Sequence, residues 1–240
     1  MKKSHFFMVI LSALFLIIFF CLRASSSTYV NNSKEVRNLE KFNRISLSLA
    51  AKVFITQGSE CRLEIEADEN DLEKIETVVK NGKLDIKTRS WTSNLKGNII
   101  INITMPELKG LSVAGSGSII ANSNFTCQDL KLGVTGSGTI KMDKLAVQEV
   151  DAVITGSGNI KLSGEPVAAE LSLTITGSGN YSAEELKVDE AHVTITGSGS
   201  AKIHVVKDLN TNITGSGSVL YQGDPMINAN STGSGKTKKM

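Results

Sequence analysis

Cysteine, proline, histidine and aromatic residues are all scarce in this sequence. Its 240 residues include three Cys, three Pro, three His and one Trp, and only 5% are aromatic. The core must therefore be built mainly from Val, Ile, Leu and Ala. The histidines stand alone and no metal-ligand spacing occurs, so we expect neither a metal site nor a cofactor. Cys61 and Cys127 could form a disulfide in an exported protein or could remain two separate thiols.

A large excess of charge of either sign is also absent. The sequence has 26 Lys and Arg against 24 Asp and Glu. Three of the basic residues, Lys2, Lys3 and Arg23, fall in the N-terminal segment, and the remainder has 23 basic and 24 acidic residues. A nearly neutral chain lacks the basic surface that general nucleic-acid binding requires. No nucleic-acid partner is expected.

Residues 1–26 have the organisation of a secretory signal peptide. Two lysines precede an apolar run from Phe6 to Phe20, and small residues follow. The run is shorter than the roughly 20 residues of a spanning helix, although an uncleaved anchor stays open as an alternative. A lipid anchor at Cys21 is a weaker alternative, because lipidation signals place a small residue before the cysteine. Residues 27–38 are interpreted as a short linker, and we expect export to the periplasm, outer membrane or surface of a bacterium.

Glycine is abundant, and its placement is periodic. Gly-Ser-Gly occurs seven times, at intervals of 21, 20, 21, 20, 18 and 18 residues. A fixed period of this size is typical of repeat architectures. The predicted corner glycines are Gly115, Gly117, Gly136, Gly138, Gly156, Gly158, Gly177, Gly179, Gly197, Gly199, Gly215, Gly217, Gly233 and Gly235.

Apolar and polar residues alternate on both sides of each Gly-Ser-Gly. In the second copy, Leu132 and Val134 precede the motif, and Ile140 and Met142 follow it. This period of two predicts strands with one buried face. Both glycines fall in the buried phase, at a bend where a residue without Cβ is favoured. Each repeat therefore predicts one coil of an all-β solenoid, with two or three short strands that bury their apolar side only against neighbouring coils.

The chain before the repeats has a different pattern. We predict one solenoid domain over residues 36–235, in which residues 36–110 form a capping part and residues 111–235 carry the repeats. The acidic stretch from Asp68 to Val79 is predicted to form a single helix, and Asn81-Gly82 is predicted to turn a hairpin. Residues 236–240 are interpreted as a basic tail that protects the last coil from edge pairing.

The last repeat reads GSGKT, like the second half of a phosphate-binding loop. Asn230 stands where that motif requires its first glycine. The helix that must follow the loop has no residues in which to form. The repeat interval between Gly215 and Gly233 accounts for the same residues, so no nucleotide is expected.

The combination of motifs resembles the bacterial auto-transporter adhesin family with a head GIN domain. The resemblance rests on F-x-x-I at Phe42, G-x-L-x-I at Gly82, P-E-L at Pro106 and the repeated V-x-G-S-G-x-I unit. It covers about residues 36 to 235. It implies a right-handed, single-stranded β-helix outside the cytoplasmic membrane, with an adhesive role by analogy and no catalytic residues to transfer.

Exposed positions of the repeats provide a candidate ligand surface. The Thr and Ser around the first glycine would stack into two hydroxyl columns, which could bind a glycan or ice, or could simply stabilise the sheet. Trp91 could stack on a sugar or pack over an end of the solenoid. Lys141, Lys161 and Lys202 could form a basic stripe or a solvated face. The candidate ligand residues are Thr135, Thr155, Thr176, Thr196, Thr214 and Trp91.

The acidic residues of the repeat region do not follow the pattern expected of a carbohydrate-cleaving enzyme. Glycoside hydrolysis uses two carboxylates across a cleft, whereas the acids of the repeat region fall at no repeated sequence position. They are Asp143, Glu149, Asp151, Glu165, Glu170, Glu184, Glu185, Asp189, Glu190 and Asp208. We therefore expect a non-enzymatic, adhesin-like interaction module whose partner is unknown and could be a glycan or cell-envelope component. The alternative is a carbohydrate-active β-helix that binds or cleaves polysaccharide.

Overall fold

The computed structural model describes residues 32–90, 92–165 and 167–240. The chain is a β-solenoid of about six turns with roughly 20-residue spacing, 71% strand and 2% helix, which confirms the predicted fold class. The predicted signal peptide, Cys21 and Trp91 lie outside the described residues. Among the residues described, no helix has the length and apolar character needed to cross a membrane.

Strands account for nearly all of the secondary structure. The elements are β1 (Asn32–Arg37), β2 (Arg44–Leu47), β3 (Lys52–Gln57), β4 (Arg62–Asp68), α1 (Glu69–Leu72), β5 (Ile75–Lys80), β6 (Lys83–Thr88), β7 (Ile100–Met105), β8 (Gly110–Gly115), β9 (Ser118–Ala121), β10 (Phe125–Gly136), β11 (Thr139–Gly156), β12 (Asn159–Gly164), β13 (Ala168–Gly177), β14 (Asn180–Gly197), β15 (Ser200–Gly215), β16 (Ser218–Gln222), β17 (Met226–Gly233) and β18 (Lys236–Lys239).

The repeat coils stack in parallel, each residue beside its equivalent in the next coil. Val134 pairs with Ile154, and Ile154 pairs with Ile175, so the inward positions form continuous apolar columns. The prediction of two or three short strands per coil is wrong for the central coils. β11 and β14 each run for 18 residues from one Gly-Ser-Gly to the next. Within these long strands, register shifts interrupt the pairing with the next coil, as between Met142 and Leu145 in β11 and between Ala183 and Lys187 in β14.

The Gly-Ser-Gly corners have two structural requirements. The first glycine of every copy has φ between 102° and 120°, a region that residues with Cβ rarely adopt. The second glycine faces the interior, and a Cβ on Gly138 would lie 2.9 Å from the Gly117 carbonyl oxygen. Only the second glycine is fully buried, whereas the first is half-buried or exposed. The prediction that both occupy a buried position is therefore wrong for the first glycine.

The N-terminal coils stack in an order that differs from their order in the chain. The coil of β2 and β3 lies between the coil of β6 and β7 and the coil of β8 and β9, all in parallel pairing. β4 pairs antiparallel with β7, β1 with β4, and β5 with β6. The predicted capping part is thus two further coils covered by antiparallel strands.

At this end of the molecule the structure corrects two predictions and confirms a third. Asn32–Arg37, in the predicted linker, forms β1. The predicted helix is limited to α1, because Ile75–Lys80 contains β-branched residues and forms β5 beside β6. Asn81 and Gly82 turn the hairpin with φ of 51° and 69°, as predicted.

The last coil closes the other end. Lys236–Lys239, interpreted as a tail, forms β18 and pairs in parallel with β16. The hydroxyls of Thr211 and Thr237 lie 2.8 Å apart, and the Ser231 hydroxyl donates to the Gly235 carbonyl at 2.9 Å. Hydroxyl-bearing side chains therefore occupy inward positions that are apolar in earlier coils, as suits a solenoid end.

Both cysteines within the described residues carry free thiols. Cys61 and Cys127 are half-buried and unpaired. Burial, and to a lesser extent the nearby Asp129 carboxylate, raises the pKa of Cys127 to about 11. This thiol stays protonated at neutral pH and is a poor nucleophile.

Candidate ligand-binding surface

The predicted threonine column runs along one face of the solenoid. Each threonine pairs with its equivalent in the next coil, and all are exposed. At the spacing of paired strands, about 4.8 Å, the column forms a straight row of hydroxyl and methyl groups. Its members are Thr135, Thr155, Thr176, Thr196, Thr214 and Thr232.

Two more polar columns follow the threonines around the corner. The middle serine of each motif is exposed, and its backbone N–H continues the pairing between coils, as from Ser157 to the Gly136 carbonyl at 2.8 Å. In the next column, the Asn180 amide donates to the Asn159 side chain at 3.1 Å. The corner therefore carries exposed columns of threonine and serine hydroxyls, beside a third polar column in which most side chains are half-buried.

The lysine positions align less regularly. Lys141 pairs with Lys161, but Ser182 separates Lys161 from Lys202. Lys141 forms an ion pair with Asp143 at 2.9 Å, and Lys202 lies 3.8 Å from Glu184. Acidic neighbours thus neutralise part of the predicted basic stripe.

Four of the ten acidic residues that were interpreted as falling at no repeated position do align in space, which corrects the sequence interpretation for those four. The register places five carboxylates at one outward position of five successive coils. Each of them stands seven residues before the first glycine of its Gly-Ser-Gly, so counting back from the motif would have found the alignment in the sequence. The column consists of Asp129, Glu149, Glu170, Glu190 and Asp208. It lies on exposed strand surface, and the described residues contain no group of three or more His, Cys, Asp or Glu arranged to hold a metal.

Sequence reasoning did not find a recess on another corner of the solenoid. This recess has a volume of about 610 Å³ and is formed by four successive coils. Its lining residues are Asn124, Phe125, Thr126, Lys144, Ala146, Ser163, Gly164, Glu165 and Glu185. The lining residues stand five to nine residues after the second glycine of their coils, but their identities differ from coil to coil, so no repeated motif marks this corner.

The recess forms where the coils lose their even stacking. The register shifts between Met142 and Leu145, and again between Lys161 and Ser163. A Cβ on Gly164 would overlap the Leu145 carbonyl oxygen, so the two chains approach more closely than side chains permit. Lys144 has φ of 57°, in the left-handed region that favours glycine and asparagine. The corner therefore departs from the regular coil in both pairing and backbone conformation.

Hydrogen bonds and ion pairs fix one wall of the recess. The buried Ser163 hydroxyl donates to an Asp143 carboxylate oxygen at 3.3 Å. The hydrogen bond from Lys141 is the main cause that lowers the pKa of Asp143, and the Ser163 hydroxyl contributes. Asp143 is thereby ionised at neutral pH and already engaged, which leaves Lys144, Glu165 and Glu185 as the charged groups lining the recess.

Comparison with known proteins agrees with the solenoid geometry and the repeat motifs. The sequence profile described as "Putative auto-transporter adhesin, head GIN domain" matches residues 41–225. The chain belongs to this family. None of the curated proteins matches the sequence.

Solved structures share the fold over nearly their whole length. An adhesin candidate from Bacteroides fragilis is 25% identical with a TM-score of 0.82, covering 88% of this chain and 97% of that chain. A protein from Parabacteroides distasonis described as a "Putative lipid binding protein" is 24% identical with a TM-score of 0.72, covering 88% and 98%. An adhesin candidate from the same species is 21% identical with a TM-score of 0.72, at the same coverage. The last two show the shared fold alone.

Proposed function

We propose that this family member is an exported, non-enzymatic interaction module of the bacterial cell envelope. The observation that carries the proposal is the pair of exposed columns, one of Thr and one of Ser, which present the same hydroxyl groups on successive coils. Such a surface suits a partner that also repeats, such as a glycan or another envelope polymer. Membership of an adhesin-named family supports the same assignment.

The proposal includes the fate of the N-terminus. Residues 1–26 act as a signal peptide, and the mature protein resides in the periplasm, in the outer membrane or at the cell surface. Mass spectrometry of the native N-terminus, combined with cell fractionation, tests this part. Detection of a diacylglyceryl group on Cys21, or of a retained apolar segment, would show that the protein is anchored and not freely exported.

Binding is tested with microspheres that carry the purified protein. We expect them to retain isolated bacterial envelope fragments, and heat-unfolded protein to retain none. The combined variant Thr155→Val, Thr176→Val and Thr196→Val removes three adjacent hydroxyls while preserving side-chain shape and should weaken retention. A matched control is Thr56→Val with Thr104→Val, which lie side by side on the N-terminal coils. Retention no better than with unfolded protein would refute the proposal.

Carbohydrate cleavage is the competing function, and the carboxylate column is the observation that favours it. Asp129, Glu149 and Glu170 line a recess of about 330 Å³, but they stand in one column, whereas glycoside hydrolysis requires two carboxylates on opposite sides of the scissile bond. A reducing-sugar release assay separates the two functions. Turnover of a polysaccharide that is lost on Glu170→Gln would establish an enzyme.

A further inference from the structure

We infer that the recess lined by Lys144 and Glu185 binds an uncharged, hydroxyl-rich segment of a saccharide. This inference deepens the proposed function, because it assigns a ligand class and a binding site away from the threonine column. It rests on the backbone conformation of Lys144, the combination of polar groups, and the size of the recess.

The backbone conformation of Lys144 is unusual for a lysine. Asn81 and Lys144 are the non-glycine residues with positive φ in the described chain. Asn81 occupies a hairpin turn that favours asparagine. Lys144 has a φ of 57°, although lysine prefers negative φ. Gly223, at the corresponding end of a later coil, has φ of 97°. Glycine would satisfy the fold at position 144, so the strained lysine is the residue whose side chain we assign to the ligand.

The ammonium group of Lys144 is available to a ligand. Its neighbour Lys141 is paired with Asp143 at 2.9 Å, but Lys144 forms no ion pair with any residue that the structure describes. The side chain is exposed at the recess. Lys144 therefore supplies hydrogen-bond donors that none of the described residues engages.

The polar groups of the recess match hydroxyl groups better than they match a charge. Lys144 only donates, Glu165 and Glu185 only accept, and Asn124 and Thr126 do both. A sugar hydroxyl donates and accepts at once, so neighbouring hydroxyls can satisfy both kinds of group. An anionic ligand would be repelled by the two carboxylates, whereas a cationic ligand would be attracted by them but would leave the ammonium donors of Lys144 unused. An uncharged saccharide uses both kinds of group.

The dimensions favour a short run of sugar residues. A volume of about 610 Å³ falls within the range of small-molecule sites, about 300–1,000 Å³. Four coils at the spacing of paired strands give a recess about 14 Å long, parallel to the solenoid axis. That length exceeds one monosaccharide, and the open side lets a longer chain continue beyond the recess.

A glycan array carrying neutral, amine-bearing and uronic-acid oligosaccharides tests the inference. The wild-type protein should bind neutral oligosaccharides. Lys144→Gly and Glu185→Gln should each reduce that signal about tenfold, as expected for the loss of a charged hydrogen bond. Lys161→Ala is the matched control, because this exposed lysine lies outside the recess, and its signal should equal that of wild type.

Lys144→Gly also separates binding from folding. Glycine relieves the left-handed strain, so thermal unfolding should occur at the wild-type temperature or above while binding is lost. Binding that survives Lys144→Gly, binding only to charged oligosaccharides, or absence of binding to any saccharide would each overturn the inference. If microspheres still retain envelope fragments in those cases, the proposed interaction function stands and only the recess assignment fails.

Discussion

The repeat coils and the N-terminal coils form the same cross-section by different means. In the repeats, spatial order follows chain order, and Gly-Ser-Gly turns one corner of each coil. In the coil of β2 and β3, Leu49 to Ala51 turn the corner, and the Ala51 N–H donates to the Leu49 carbonyl at 2.9 Å. A coil therefore forms without the motif, and the motif instead allows many equivalent coils to stack in one register.

The two regions also differ in how they place charge. In the N-terminal part, the Asp71 carboxylate is buried and accepts hydrogen bonds from Lys74, Lys96 and Gly97 at 2.9 Å. In the repeats, five carboxylates stand above one another, four of them exposed and that of Asp208 half-buried. In the N-terminal part, the buried carboxylate is stabilised by its own hydrogen bonds, whereas the repeated register of the coils places equal charges above one another. Substitutions in the two regions should therefore have different effects.

The largest effect is expected at a corner of the repeats. Gly158→Ala would place a Cβ 2.9 Å from the Gly138 carbonyl oxygen and against the Val134 side chain. We expect the free energy of unfolding in urea to fall by about 3 kcal/mol. Gly133→Ala is the control, because its nearest neighbour, the Ser112 Cβ, lies at 3.7 Å. Equal losses in the two variants would contradict this account of the corner.

The next effect tests the N-terminal end. Arg37 donates to the Ile75 carbonyl at 3.0 Å and to the Leu72 carbonyl at 3.3 Å. These hydrogen bonds join β1 to the end of α1 and the start of β5. Arg37→Met should lower the unfolding free energy by about 2 kcal/mol, because these carbonyls lose a charged donor. Arg62→Met should change the unfolding free energy by less than about 0.5 kcal/mol. Arg62 is exposed, and its contact with Glu64 is a long one of 3.6 Å. A harmless Arg37→Met would show that the cap does not depend on this contact.

The third effect depends on pH. Burial alone would raise the pKa of Asp71, but hydrogen bonds from Lys74, Gly97 and Lys96 lower it below its ordinary value. Because the folded-state pKa of Asp71 is lowered, its carboxylate stabilises the folded protein above the unfolded-state pKa of about 3.9. This stabilisation is lost as the pH falls through the folded-state pKa. Stability should therefore decrease below about pH 4, and less steeply in Asp71→Asn. Denaturant unfolding at several pH values measures both slopes, and identical slopes would refute the assignment.

The smallest effect has the opposite sign and belongs to the repeats. Glu170 stands between Glu149 and Glu190 in the carboxylate column. Glu170→Gln should raise stability by about 0.5 kcal/mol, because equal charges on paired strands repel, and the gain should shrink in high salt. Glu40→Gln, at an exposed position outside the column, should leave stability unchanged. A destabilised Glu170→Gln would indicate that the column has a structural partner.

Local patterns predict the repeat coils because each coil contacts its own copies. The alternation around Gly136 and the Asn81-Gly82 turn are local signals, and both predict the structure correctly. The position of the β2–β3 coil depends on pairing with strands about 40 and 65 residues away, which no local pattern encodes. The recess at Lys144 escapes prediction for a related reason, since shifts in register create it.

The insertion of β2 and β3 between two other coils has a mechanical consequence. A pull on the C-terminal end can remove β17 and β18 first, because each is paired within the described chain on one side only. A pull on the N-terminal end detaches β1 and then meets a coil that is hydrogen-bonded on both sides. Two rows of hydrogen bonds must break together there. A protein held to the envelope by its N-terminus would thus carry tension through the part of its fold that is hardest to unravel.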